Sequence, residues 1–224
     1  MRKLTLLAAA SFAAIAVPAS ATITIGTQEA GQGQTVQFNP PSPDGATIFG
    51  YTNQTNTSVT FASLTGQTLH GTDAQGQSRV EAVSGGTQVP LTSIDISLTT
   101  PNTTFDYAEF NMTNAGSPGD ATQVTVRGID QFGTEFTQTF NTLGNGQNFV
   151  SFLASGGEHI THIQFYNTGN SGFTDLRQLR INGITGITPV PEPATWAMML
   201  VGFGAAGVAM RRSRRRKPLL AQIA

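Results

Sequence analysis

Residues 22–186 never sustain the 3.6-residue apolar period that an amphipathic helix needs. Short runs alternating apolar with hydroxyl or amide residues recur instead about every 8 to 15 residues, between clusters of Gly, Asn and Asp. Thr, Gly, Ser, Asn and Gln dominate, with Phe, Val and Ile as the apolar residues, a strand-favouring mixture. Roughly 165 residues suffice for one core and are few for two. The expected fold class is therefore all-β, an antiparallel β-sandwich over 22–186, with strands joined by turns rather than by helical crossovers.

The second half of this stretch reads most clearly. Residues 123–129 put Val124 and Val126 on one face and Thr125 and Arg127 on the other. Residues 135–140 do the same with Phe136 and Phe140 around Thr137 and Thr139, and Asp130-Gln131-Phe132-Gly133 predicts a hairpin turn between the two. Residues 148–153 are apolar at both alternating sets of positions and predict a central strand. Ile163 and Phe165 of 160–167, and Leu179 and Ile181 of 177–181, should turn inward. Earlier strands are predicted at 47–51, 58–62, 79–83 and 93–98, with 39–45 (NPPSPDG) as loop.

Charge is sparse and uneven. The whole chain has a formal net charge of −1, yet residues 22–190 set four arginines (Arg79, Arg127, Arg177, Arg180) against twelve acidic residues, a net of −8. A phosphate backbone is repelled by such a surface, which excludes nucleic acid as a partner. The absence of cysteine excludes a disulfide framework, a thiolate metal site and a Cys nucleophile.

The remaining charge sits at the two ends, and both ends read as addresses. Residues 1–21 form a signal peptide: Arg2 and Lys3 are its positive start, 4–17 its apolar stretch, and Pro18 precedes the small residues Ala19 and Ala21 of the cleavage site. The apolar stretch is too short to span a bilayer, so a cut after Ala21 is expected. At the other end, 187–193 is a Pro-rich linker containing PVPEP, and 194–210 is uncharged with Trp196 near its start. Such a stretch reaches about 26 Å as a helix and predicts a single transmembrane helix. Arg211, Arg212, Arg214, Arg215, Arg216 and Lys217 follow as stop-transfer charges within a basic cytoplasmic tail, 211–224.

Pro191, Glu192 and Pro193, then Trp196 and Ala197, a Gly-rich apolar helix and the Arg cluster resemble the PEP-CTERM protein-sorting signal of Gram-negative bacteria, in its PEPxxWA form. The resemblance implies recognition by an exosortase, a membrane protease that cuts near Pro-Glu-Pro and passes the protein to the cell surface, envelope or exopolysaccharide matrix. The two prolines hold Glu192 extended at little entropic cost, as a protease cleft requires. Residues 160–184 are in turn similar to the final strands of jelly-roll domains attached to PEP-CTERM proteins, loosely like galactose-binding-type sandwiches, which makes the expected sandwich jelly-roll-like.

Few residues between the ends point to chemistry. His159 and His162 stand three apart, so a strand sends them to opposite faces and they cannot chelate together. No D-x-D-x-D-G run or G-x-S-x-G elbow is present, and neither an enzyme nor a cofactor is expected, although loop carboxylates leave room for a structural calcium ion. GFGAAG at 202–207 fits G-x-G-x-x-G, but lies in the apolar helix with no acidic residue after it. Tyr51, Tyr107 and Tyr166 are the candidate sugar contacts, since the domain lacks Trp. The expected role is a structural or adhesive exported protein. The alternatives are a carbohydrate-binding module with a defined site, or a permanently membrane-anchored surface protein.

Overall fold

A computed structural model describes residues 22–27, 31–73, 78–114, 121–141, 143–144, 146–167, 171–186 and 193–214. Sixteen strands and one helix are formed: β1 (Thr22–Gly26), β2 (Gln34–Gln37), β3 (Thr47–Thr52), β4 (Ser58–Ala62), β5 (Thr68–Thr72), β6 (Arg79–Ser84), β7 (Thr87–Val89) and β8 (Ser93–Leu98). There follow β9 (Thr103–Thr104), β10 (Tyr107–Asn114), β11 (Val124–Asp130), β12 (Glu135–Phe140), β13 (Gly146–Ser155), β14 (Ile160–Tyr166), β15 (Asp175–Asn182), β16 (Thr185–Gly186) and α1 (Pro193–Arg214). Met1–Ile187 and Thr188–Ala224 are separate compact units. The expected signal peptide, with Ala19 and Ala21, lies outside the described residues.

Every strand pair among the described residues is antiparallel, and short turns join the successive pairs such as β3–β4, β6–β7 and β11–β12. The main path runs β1-β13-β10-β15-β2-β3-β4-β8-β14-β11-β12, and β5, β6 and β7 branch from it through β6 beside β15. Strand β2 is the hinge of this path: Gln34 and Thr35 pair with β15, while Val36 and Gln37 pair with β3. The path doubles back, so that Phe110 of β10 and Phe165 of β14 meet at 6.5 Å between ring centroids, although they come from different flanks. Phe110 also stacks on Phe152 of β13 at 6.1 Å, and Phe165 meets Phe173 edge-on at 5.6 Å. With little Leu available, phenylalanine fills the core, and tilted or edge-on rings are the arrangement their quadrupoles favour.

The alternating runs fold as they read. β11 and β12 pair from Val124↔Phe140 to Ile129↔Glu135, and the Asp130 carboxylate closes their turn by accepting the N–H groups of Phe132 (2.8 Å) and Thr134 (2.7 Å). Gly85 and Gly86, at φ +58° and +78°, make the two-residue turn between β6 and β7, which needs two left-handed positions. Two expectations are corrected. The strand read at 148–153 is central and longer (β13, between β1 and β10), but it is not buried on both faces, because Leu153 is 52% exposed. Strand β10, absent from the sequence reading, sits between β13 and β15 with Ala108, Phe110 and Met112 in the core, and Glu109 and Asn111 are buried as well.

Candidate functional site

The C-terminal unit is the first candidate. Pro193 opens α1, where its fixed φ and missing N–H cost nothing. The helix places Trp196 and Ala197 in its first two turns and continues through Arg211, Arg212 and Arg214. Met198, Leu200, Phe203 and Val208 are each about two-thirds exposed or more, so among the described residues these apolar side chains of the helix stand uncovered. Pro191, Glu192, Arg215, Arg216 and Lys217 lie outside the described residues. A helix stands where the transmembrane helix was expected and is longer than 194–210, while no helix among the described residues is long and apolar enough to cross a membrane.

In the β unit the three tyrosines do not form one platform. Tyr51 of β3 stands opposite Ser58, whose carbonyl accepts Thr99 N–H at 3.0 Å, while Tyr166 of β14 stands opposite Ser93. Ser93 and Thr99 mark opposite ends of β8, about 20 Å apart at strand rise. Tyr166 carries the Arg127 guanidinium over its ring at 5.4 Å, and Arg127 is also paired with Glu135 at 2.9 Å. Tyr107 belongs to β10, on the other flank of the path.

Tyr107 belongs to a polar stripe that sequence reasoning missed. Its hydroxyl donates to Glu109 Oε2 at 2.6 Å, and Gly31 N–H donates to the same oxygen at 3.1 Å. In the ladder with β15, Glu109 stands opposite Arg180 and Asn111 opposite Arg177. Gly31, at φ +62°, lets the chain pass the Arg180 guanidinium, where a Cβ would come within 2.9 Å of Nη1. Arg177 makes two 2.6 Å bonds to the carboxylate of Asp175, which is fully buried, so its charge is already matched. The only usable signal was the alternation of β10 itself, hidden because its polar residues are also covered.

The histidines occupy separate ion pairs. His159 Nδ1 meets Asp106 Oδ1 at 2.5 Å and His162 Nδ1 meets Asp95 at 3.0 Å. His70 pairs with Asp44 at 2.7 Å. The bond to Asp95, which also accepts Gln164 Nε2 at 2.8 Å, raises the His162 pKa above its ordinary value, and partial burial opposes the rise. Glu158 is raised by burial first and then by the nearby Asp130 carboxylate, and its Oε2 is buried without a hydrogen-bond partner. Among the described residues, no three His, Asp or Glu side chains converge as a metal site would require.

No curated protein matches the chain. Among solved structures, PfGH50B shares 14% identity over 60% of this chain, with a TM-score of 0.34. The chain spans about a quarter (24%) of the length of that structure. Two variants of CBM29-2, a family 29 carbohydrate-binding module, share 14% and 12% identity over 56% and 77% of this chain and 83% and 99% of their own, each with a TM-score of 0.27. The family model of the PEP-CTERM protein-sorting motif matches residues 189–216, from the Pro-rich linker through the helix into the arginine cluster. The chain therefore carries a PEP-CTERM protein-sorting motif, which marks a protein for export and sorting to the cell envelope.

Proposed function

We propose that this is a non-enzymatic protein of the envelope or exopolysaccharide matrix, delivered there by an exosortase that recognises residues 191–197, with the β unit as a jelly-roll-like sandwich of structural or adhesive role. The observation that carries the reading is the ordered succession within one matched motif of Pro-Glu-Pro, a helix starting at Pro193, and a basic end. During processing the chain is an intermediate held at the inner membrane. The apolar α1 seeks the bilayer, and Arg211 through Lys217 stay on the cytoplasmic side. Protease cutting near Pro193 then frees the β unit from a helix whose apolar side chains its own unit leaves exposed.

Intact mass of the protein recovered from its native host tests this. The expected species begins at Thr22 and ends near Pro193, and Glu192→Ala retains the tail because the extended, acidic recognition element is lost. A wild-type species that keeps residues 211–216 in the membrane fraction would refute processing.

A further inference from the structure

Past the end of β1, the first half of β13 faces a cleft of about 520 Å³ that it shares with the end of β12 and the loop after it. Its walls include Phe140 and Leu143 on one side and Gln147, Asn148 and Phe149 on the other, with Asn141 at the rim. None of the candidate tyrosines reaches it. We propose that this cleft is a binding site for an uncharged saccharide. The proposal deepens the adhesive reading and relies on export only to place the glycan outside the cell.

Three features define the ligand. First, no charged residue is among the described lining, in a region of the chain whose net charge is −8, so a polyanion finds no counter-charge and a cation no carboxylate. Second, Phe140 and Phe149 are half-buried and come from different strands, offering aromatic surface for the C–H faces of sugar rings. Third, the polar side chains of the lining are carboxamides and two threonine hydroxyls, groups that donate and accept at once, as sugar hydroxyls do. Among the described residues, the exposed Gln147 amide has no hydrogen-bond partner. Asn141 accepts Gln123 Nε2 through Oδ1, leaving its Nδ2 donor for a ligand.

The wall is also preorganised. Asn148 commits its side chain to structure: Oδ1 accepts Gly144 N–H at 3.0 Å, and Nδ2 donates to Gly144 O at 3.0 Å and Met112 O at 3.2 Å. Its own N–H is held by Asn111 Oδ1 at 2.9 Å. Behind it, β13 is paired with β10 along the whole of β10, so binding orders little that is not already ordered. The volume falls in the range of small-molecule sites, about 300–1,000 Å³.

The test is affinity electrophoresis of the purified full chain, in a detergent without a sugar headgroup, through native gels containing a neutral β-glucan, a galactomannan, a xylan or the polyuronate alginate. Retardation by at least one neutral polymer and none by alginate is expected. Phe149→Ala and Gln147→Ala should each weaken it tenfold or more, with Tyr166→Phe unchanged. Gln147 is exposed, so its variant keeps the fold even where the phenylalanine variant does not. No retardation by any neutral polymer, retardation by alginate alone, or retardation untouched by Gln147→Ala would overturn the proposal. Sorting is read separately by chain mass, so failure of one reading is not mistaken for failure of the other.

Discussion

Gly71→Ala, in the middle of β5, should destabilise the β unit although glycine in a strand is normally a weak point. Replacing Gly by Ala where the backbone tolerates it gains about 0.4–1 kcal/mol by restricting the unfolded chain. Gly71 has an ordinary backbone angle, so that gain applies. Against it stands Phe38, 4% exposed and packed on Phe61 at 5.4 Å, whose ring would lie 2.5 Å (Cε1) and 2.8 Å (Cγ) from the new Cβ. The ring cannot easily retreat, because the Phe38 N–H donates to both oxygens of Asp73, at 3.0 and 2.9 Å, and holds that backbone in place. Overpacking of this kind costs about 1–3 kcal/mol. The net expectation is a loss of about 1–2 kcal/mol, or roughly 3–8 °C in Tm for a domain of this size. Urea unfolding followed by far-UV circular dichroism measures it. In a Phe38→Leu background the penalty should shrink by at least about 0.5 kcal/mol, the coupling expected of contacting residues. A Gly71→Ala variant at least as stable as its parent, or a penalty unchanged in that background, would refute the packing argument.

Two titrations follow from the ion pairs. His162 should titrate above 6.5 by NMR, and Asp95→Asn should bring it down. Because the folded-state value is the raised one, the pair's stabilisation is complete below the unfolded value of 6.5 and is lost as pH rises through the folded value. A His162 that titrates at or below 6.5 in the wild type contradicts the pairing. Glu158→Gln should stabilise the protein at neutral pH, since burial first and then the Asp130 carboxylate disfavour the ionised carboxyl, and the gain should disappear below pH 4.5, where the wild-type group is protonated in both states. A gain of equal size at pH 3.5 and pH 7 would point to packing rather than charge.

What the sequence revealed depended on how local the signal was. The hairpin of β11 and β12 and the strands β4 and β8 were legible because one face is buried and the other wet, which writes a period of two into adjacent residues. Strand β10 was not, because Glu109 and Asn111 are polar yet buried, and their cover comes from partners such as Gly31, 78 residues away. The sorting motif is one contiguous string and was read whole, and the helix it contains extends beyond the expected bounds to Pro193–Arg214. The cleft was invisible because Phe140 and Phe149 become neighbours across a space that only the doubled-back sheet creates. Tyr107 was singled out for an aromatic face, and the structure gives it a hydrogen bond to Glu109 instead.

The pairing of β1 bears on the order of events during export. Thr22, the residue after the expected cut, pairs with Ser155, 133 positions later. A chain crossing the membrane N-terminus first delivers β1 at the start and its partner strand near the end. Throughout that interval the backbone of 22–26 has no ladder to join, and Ile23, destined for the core, stays wet. Because β1 ends the sheet path and its only ladder among the described residues is with β13, the sheet edge closes only once the strand 133 positions later is delivered.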